Sequence, residues 1–202
     1  MLGRATQSIF TKVFVFLIMT LYFWAYTLMG LVVLGVGPAL RTISELYQAH
    51  QWQWRDYSFK QGFKQWREDF WQVNAHTWLF IAVLGILGYN LYLSVQLREL
   101  WVVFVQFIIV AAMVLVFCLG VFTLMLRTHY DVSFQNAIKL ALVQFFASFG
   151  HMLLFVLMTV VVVAVSLKWP GLILFLSIGM YVAIADHLSQ QMYARIDAEL
   201  AQ

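Results

Sequence analysis

Charged residues are absent from four long stretches of this chain. No Asp, Glu, Lys or Arg occurs between Lys12 and Arg41, between Asp69 and Arg98, between Glu99 and Arg127, or between Lys139 and Lys168. Each stretch is long enough for an α-helix to cross the hydrocarbon core, which takes about 20 apolar residues. A fifth, shorter stretch follows Lys168 and opens with Pro170, a residue that suits the first turn of a helix. The pattern predicts an all-α membrane protein with five transmembrane helices.

The five predicted spans cover residues 13–37, 77–97, 100–125, 146–167 and 170–189. Of all residues, 63% are hydrophobic and only 10% are charged, whereas a soluble domain has about 25% charged residues. We therefore expect one integral membrane domain over residues 1–202. The connection between the first two spans, residues 38–76, is predicted to be a cytoplasmic amphipathic segment.

The distribution of lysine and arginine sets the predicted orientation, because cytoplasmic loops of membrane proteins are enriched in both. With five spans, eight of the twelve basic residues fall on the side of residues 38–76, residues 126–145 and the C-terminus. This distribution predicts an external N-terminus and a cytoplasmic C-terminus. Arg4 and Lys12, just before the first span, oppose that orientation locally.

Two stretches of the chain match at an offset of 75 residues. The sequence DYSF at 56–59 corresponds to DVSF at 131–134. Further matched pairs are Lys64 and Lys139, Phe70 and Phe145, and His76 and His151. Ser58 and Ser133 are each predicted to cap a helix, because Gln or Asn follows three residues later. The pattern favours two parallel repeats of helix, amphipathic segment and helix before the fifth helix, with coincidence as the alternative.

The segment after Ser58 is predicted to form an amphipathic helix with an aromatic edge beside a basic stripe. The edge consists of Phe59, Phe63, Trp66 and Phe70, and the stripe consists of Lys60, Lys64 and Arg67. One interpretation is a helix that lies on the membrane surface with its apolar face down. The other is a helix whose aromatic edge docks on a partner subunit, because Trp and Arg are favoured interface residues.

Few residues of this chain suggest catalysis. The sequence has no Gly-rich phosphate loop, no His-Glu-x-x-His motif and no Cys–His pair at ligand spacing. Asp186 and His187 are interpreted as an interfacial cap where the fifth span emerges, with an ion or proton role as the alternative. His76 and His151 alone would make a weak metal site. We therefore expect no catalytic residue, no metal and no cofactor.

A Gly- and Pro-containing segment follows the first predicted span. Gly35, Gly37 and Pro38 are predicted to end that span with a break, because proline lacks a backbone donor and restricts the residue before it. The sequence GVGPAL at 35–40, followed by an aromatic and basic stretch that ends with FWQVN at 70–74, resembles the YesL family of small bacterial membrane proteins. That family has long been classed as a domain of unknown function. The resemblance covers residues 13–97, although Leu40 replaces the threonine of many members and the family's Lys-Trp pair is reduced to Trp52.

The YesL resemblance implies an association with carbohydrate uptake, because such proteins are often encoded beside sugar ABC importers. It implies an accessory subunit in a bacterial cell membrane that binds ABC permease subunits and the lipid bilayer and catalyses no reaction. The net charge of +3 indicates no nucleic-acid partner. An autonomous transporter or channel is the alternative, and a membrane enzyme comes third. A transporter would need a polar path, for which the candidates are Asn90, Gln106, Ser166 and Ser177.

Overall fold

Helices form almost all of this computed structural model, which describes residues 2–97 and 99–200. They are α1 (Leu2–Met29), α2 (Val36–His50), α3 (Phe59–Glu68), α4 (Phe70–Val95), α5 (Leu100–His129), α6 (Phe134–Ala147), α7 (Phe149–Lys168), α8 (Gly171–Phe175) and α9 (Ser177–Leu200). A 3-10 turn, Trp54–Asp56, lies between α2 and α3. Within the described ranges there is no strand, so the predicted all-α class is confirmed.

Four helices in the described part of the chain are long and apolar enough to cross a membrane. They are Thr6–Met29, Phe70–Val95, Leu100–His129 and Phe149–Lys168. The last three contain most of the predicted spans 77–97, 100–125 and 146–167. The predicted fifth span, 170–189, is also helical, but Leu176 divides it into the short α8 and the longer α9. The chain is a multi-pass helical membrane protein.

The predicted first span, 13–37, requires a correction, because α1 ends at Met29 and the chain then reverses direction. A Cβ atom at Gly30 would overlap the backbone of Gly35, and one at Gly35 would overlap the backbone of Thr27. Only glycine allows so close an approach of two chain segments. The break therefore lies before α2 and is not caused by Pro38. Pro38 instead lies in the first turn of α2, where its missing N–H leaves no helical hydrogen bond unmade.

Helices α1 and α2 form an antiparallel hairpin. Near its open end, the ring centroids of Phe16 and Trp52 are 5.7 Å apart, and Lys12 Nζ lies 5.2 Å from the centroid of the Trp52 ring. Residues 12 and 52 thus lie at the same end of the molecule, whereas the predicted first span puts them on opposite sides. The predicted segment 38–76 is accordingly not one amphipathic piece but most of α2, the 3-10 turn, α3 and the first turns of α4.

Helix α9 runs antiparallel to α1 and brings the C-terminal region to that same end. The backbone N–H of Gly179 donates to Thr20 Oγ1 at 3.0 Å, and Lys12 and His187 line one cavity further along. Further along α9, Asp197 Oδ1 accepts a hydrogen bond from the hydroxyl of Tyr130, which follows α5, at 2.7 Å. We call this end, where α2, α5 and α9 finish and α4 and α7 begin, the basic end.

The two segments of the predicted repeat both form a bent pair of helices. Ser58 Oγ accepts a hydrogen bond from the backbone N–H of Gln61 at 3.5 Å, and Ser133 Oγ accepts one from that of Asn136 at 3.4 Å. The first pair, α3–α4, bends at Asp69, and the second, α6–α7, bends at Ser148. Because α6 has 14 residues and α3 has 10, the second bend comes about one helical turn later than the offset of 75 implies.

Candidate functional site

The predicted aromatic edge of α3 packs mostly against the protein's own α1–α2 hairpin. The ring of Phe59 stacks on that of Tyr26 with centroids 4.9 Å apart. Phe63 and Trp66 are partly buried against the core that the hairpin forms. Intramolecular contacts therefore occupy much of the edge. A helix lying on the membrane would turn this edge towards lipid, but here α1 and α2 cover it.

The aromatic residues continue past the bend at Asp69 and become exposed there. The ring centroids of Trp66 and Phe70 are 4.7 Å apart, and those of Phe70 and Trp71 are 5.5 Å apart. Phe70 is half-buried, whereas Trp71 is 75% exposed. Helical periodicity did not include Trp71, because consecutive residues lie about 100° apart on a helix and Phe70 already belongs to the edge. A tryptophan at the start of a span was the available signal.

The basic stripe of α3 lies open to its surroundings. Lys60, Lys64 and Arg67 are all exposed. Lys64 makes an ion pair with Glu68 at 3.7 Å within the same helix, and an exposed pair of this kind contributes little to stability. Together, Trp71 and these three basic residues form the accessible set, which we call the α3–α4 surface.

The predicted structural turn positions α2 against α4. Gly37 faces Thr77 so closely that a Cβ atom would overlap the threonine side chain. Gly35 and Pro38 belong to the start of α2, Gly35 as the residue before it and Pro38 within its first turn. Gly37 thus allows the first turn of α2 to pack closely against α4.

An apolar cavity of about 310 Å³ lies where α2, α4 and α5 meet. Each helix contributes one face, at the three- and four-residue spacing of an α-helix. The face from α5 includes Val116, Gly120, Thr123 and Arg127. Residue spacing alone did not reveal this cavity, because residues from four separate helices, including Phe134 of α6, line it.

The polar residues of the cavity gather where it approaches the basic end. Arg41 forms ion pairs there with Glu45, at 2.8 Å, and with Asp69. Burial raises the pKa of the Glu45 carboxyl, and the adjacent Arg41 opposes that rise. Two carboxylates therefore face the single guanidinium of Arg41.

Arg127 has a different environment at the same end of the cavity. Its Nη1 donates to Nδ1 of His76 at 2.7 Å, because an arginine can only donate. The ring of Phe134 stacks on His76 with centroids 3.6 Å apart. Among the described residues, no carboxylate forms an ion pair with Arg127. Its Nε is buried without a hydrogen-bond partner in the described part of the chain, as is Oγ1 of Thr123.

Asp186 lies inside the bundle and well within α9, so its interpretation as a cap was wrong, whereas its interfacial depth stays a prediction. The residue is only 3% exposed, and its Oδ2 accepts a hydrogen bond from Gln190 at 3.0 Å. His187 beside it is exposed. Helices α2 and α5 supply the polar neighbourhood, in which Gln48 donates to the Tyr193 hydroxyl at 3.4 Å and the His129 ring stacks on that of Tyr193.

Three of the four polar residues predicted to line a transport path have hydrogen-bond partners. The hydroxyls of Ser166 and Ser177 are 2.6 Å apart and join α7 to the start of α9. Asn90 donates to the carbonyl of Ile86 in its own helix. The structure thus engages Asn90, Ser166 and Ser177 in separate local bonds. Within the described residues, no group of three or more His, Cys, Asp or Glu side chains could hold a metal ion.

Residues 16–91 match a family model described as a protein of unknown function, DUF624. The match runs from α1 through the hairpin and α3 to the last part of α4. DUF624 is the domain that YesL-like proteins carry, so the predicted resemblance is confirmed for these residues. No curated protein and no solved structure matches the chain.

Proposed function

We propose, from the DUF624 domain of residues 16–91, that this protein is a non-catalytic accessory subunit of a bacterial carbohydrate ABC importer and binds its permease. The observation that carries this proposal is the exposure of Trp71, which at 75% is far greater than that of Phe63, Trp66 and Phe70 before it and exceeds the 41% of Phe59. Exposed tryptophan and arginine side chains are favoured anchors in protein interfaces. The YesL resemblance supports the importer as the partner.

The α3–α4 surface is the part of the predicted docking helix that a partner can reach. Phe63 and Trp66 already pack on α1 and α2, so they support the surface from below. Lys60, Lys64 and Arg67 are exposed and suit an acidic rim on the permease. A tryptophan near a span end also suits the bilayer boundary. A control tryptophan at the other end of the molecule distinguishes permease binding from this membrane role.

We also propose that the basic end faces the cytoplasm of a bacterial cell and carries both chain ends. Nine basic residues are assigned to this end, because they lie in the helices and connections that meet there. They are Lys12, Arg41, Arg55, Lys60, Lys64, Arg67, Arg127, Lys139 and Arg195. Among the basic side chains that the structure describes, Lys168 alone lies at the opposite end. Cytoplasmic enrichment of Lys and Arg then favours a cytoplasmic N-terminus, in place of the external one predicted from five spans.

The test of the permease proposal compares Trp71→Ala with Trp101→Ala. Trp101 is 64% exposed at the start of α5, at the end opposite Trp71, so both changes remove an exposed ring and spare the core. We expect Trp71→Ala to cost about 2 kcal/mol of binding, the range of an interface anchor. That is about a 30-fold loss in affinity. Trp101→Ala should leave permease binding unchanged.

The measurement is recovery of the permease with the tagged protein from detergent extracts, normalised to the amount of tagged protein. A fall in recovery with Trp71→Ala alone supports the proposal. Undiminished recovery with both variants would show that the α3–α4 surface is not the docking site. Equal losses with both would point to a general effect of aromatic residues at the membrane boundary.

A further inference from the structure

We infer that the cavity between α2, α4 and α5 binds an anionic phospholipid, with an acyl chain against its apolar wall and the phosphate on Arg127. The cavity is apolar along most of its length and polar only near the basic end. That separation corresponds to an amphiphile with one polar and one apolar end. This ligand comes from the bilayer, and its binding does not require the permease.

The head-group position follows from the difference between the two arginines. Arg41 already has Glu45 and Asp69 as ion-pair partners. Among the described residues Arg127 bonds to the uncharged acceptor His76 and forms no ion pair, although Asp69 and Asp131 lie near enough to act on it electrostatically. Arg127 Nε is a buried donor without an acceptor among the described residues. Buried donors in folded proteins are almost always satisfied, and a phosphate oxygen is a matching acceptor for a guanidinium.

Thr123 supplies a second, independent sign of a ligand at the same place. The residue is 2% exposed and lines the cavity one helical turn before Arg127. Its Oγ1 has no partner in the described part of the chain, although Thr20, Thr128 and Thr159 each bond the carbonyl four residues earlier. A hydroxyl that makes no such local bond is available to a head-group or ester oxygen.

The acyl-chain position follows from the walls of the cavity and its access. Leu40, Phe80, Leu84 and Val116 provide apolar surface away from the polar end. Ile81 lines the cavity and is also 44% exposed, so the cavity is open on an outer surface of α4. Since α4 and α5 are candidate membrane spans, a lipid of the bilayer can enter from the side.

The experiment measures lipid retained by the purified full-length protein in native mass spectrometry. Phosphatidylglycerol and phosphatidylcholine with identical acyl chains are added separately. Wild-type protein should retain phosphatidylglycerol in preference. Val116→Trp fills the cavity and should lower retention of both lipids about tenfold. The matched control Val110→Trp, on an exposed part of the same helix, should retain them like wild type.

A charge variant tests the head group separately. Arg127→Gln should abolish the preference for phosphatidylglycerol while phosphatidylcholine retention persists, because the acyl site remains. The control Arg67→Gln removes an exposed basic residue of α3 and should keep the preference. Displacement of phosphatidylglycerol by millimolar inorganic phosphate would overturn the acyl-chain part of the inference.

Thermal melting without added lipid checks that each variant is folded, and Val116→Phe replaces Val116→Trp should the larger ring prevent folding. If folded Val116→Trp or Val116→Phe protein retained as much of each lipid as the wild type, the inference would be overturned. An unchanged preference for phosphatidylglycerol in Arg127→Gln would overturn the assignment of the head group.

Discussion

The two bent helix pairs, α3–α4 and α6–α7, begin alike but have different surroundings. Ser58 and Ser133 cap the first helix of each pair in the same way. In the second pair, Ala137, Ala141 and Phe145 lie in the core with α5 and α9. In the first pair, α4 buries few residues, and Trp71 is exposed.

This difference shows which properties of a repeat the matched residues can specify. The caps, the helices and the existence of a bend are local, so similar sequences produce them twice. Burial depends on which other helices arrive: in the second pair α6 packs on α5 and α7 on α9, whereas in the first pair α4 packs mainly on α5. Both pairs keep an outer face that can contact lipid or a partner, since Trp71 and its matched residue Phe146 are 75% and 67% exposed, but the second pair contributes more residues to the core.

The largest expected difference between the pairs concerns the matched residues Phe70 and Phe145. Phe145 is 8% exposed within the core, whereas Phe70 is half-buried. Phe→Ala in a core typically costs 3–5 kcal/mol. We expect Phe145→Ala to lower the free energy of unfolding by about 3 kcal/mol and Phe70→Ala by less than half of that. Denaturant unfolding in mixed micelles measures both, and equal losses would contradict the contrast in burial.

The smallest expected difference concerns the two capping serines. Each Ser Oγ accepts one backbone N–H three residues later, so Ser58→Ala and Ser133→Ala should each cost about 1 kcal/mol. Ser58→Asp and Ser133→Asp retain an acceptor and serve as controls. The same unfolding measurement applies. A loss at only one serine would show that the pairs do not share their capping.

Local sequence signals predicted much of the fold. The long charge-free stretches predicted the apolar helices α4, α5 and α7, because a span needs an uninterrupted apolar run. The Ser-x-x-Gln and Ser-x-x-Asn spacings predicted both N-caps. Each of these features depends on residues within a few turns of one another.

The α1–α2 hairpin could not be predicted in the same way. Leu31 and Val32 are apolar and suggest a continuing helix, but they adopt φ values of 57° and 64°, a region that such residues seldom occupy. Packing between α1 and α2, with glycines at 30 and 35, holds the turn. Pro38 was interpreted as the break because proline is the stronger local signal.

The cavity and the burial of Asp186 also depend on tertiary contacts. Val116, Gly120, Thr123 and Arg127 show helical spacing, but the spacing does not reveal that α2 lies opposite them. Asp186 follows an apolar run and was placed at a span end for that reason. Its burial requires α2 and the end of α5, which are distant in the sequence and place Gln48 and His129 beside it.

Cysteine labelling in intact cells tests most directly the claim that both chain ends share the basic end with α3. The background is Cys118→Ala, which removes a buried thiol. Single cysteines replace Gln7, Gln61 and Gln96, all of which are exposed. Gln7 lies in the first turns of α1 and Gln61 in α3, whereas Gln96 follows α4 at the opposite end.

An impermeant thiol reagent should label only the Gln96 replacement in intact cells, and the Gln7 and Gln61 replacements only after lysis. The reason is that the contact between Lys12 and Trp52 holds the start of α1 beside the end of α2, while α3 leads directly into the start of α4. Labelling of the Gln7 replacement in intact cells, with the Gln61 replacement still protected, would contradict the hairpin and restore an external N-terminus.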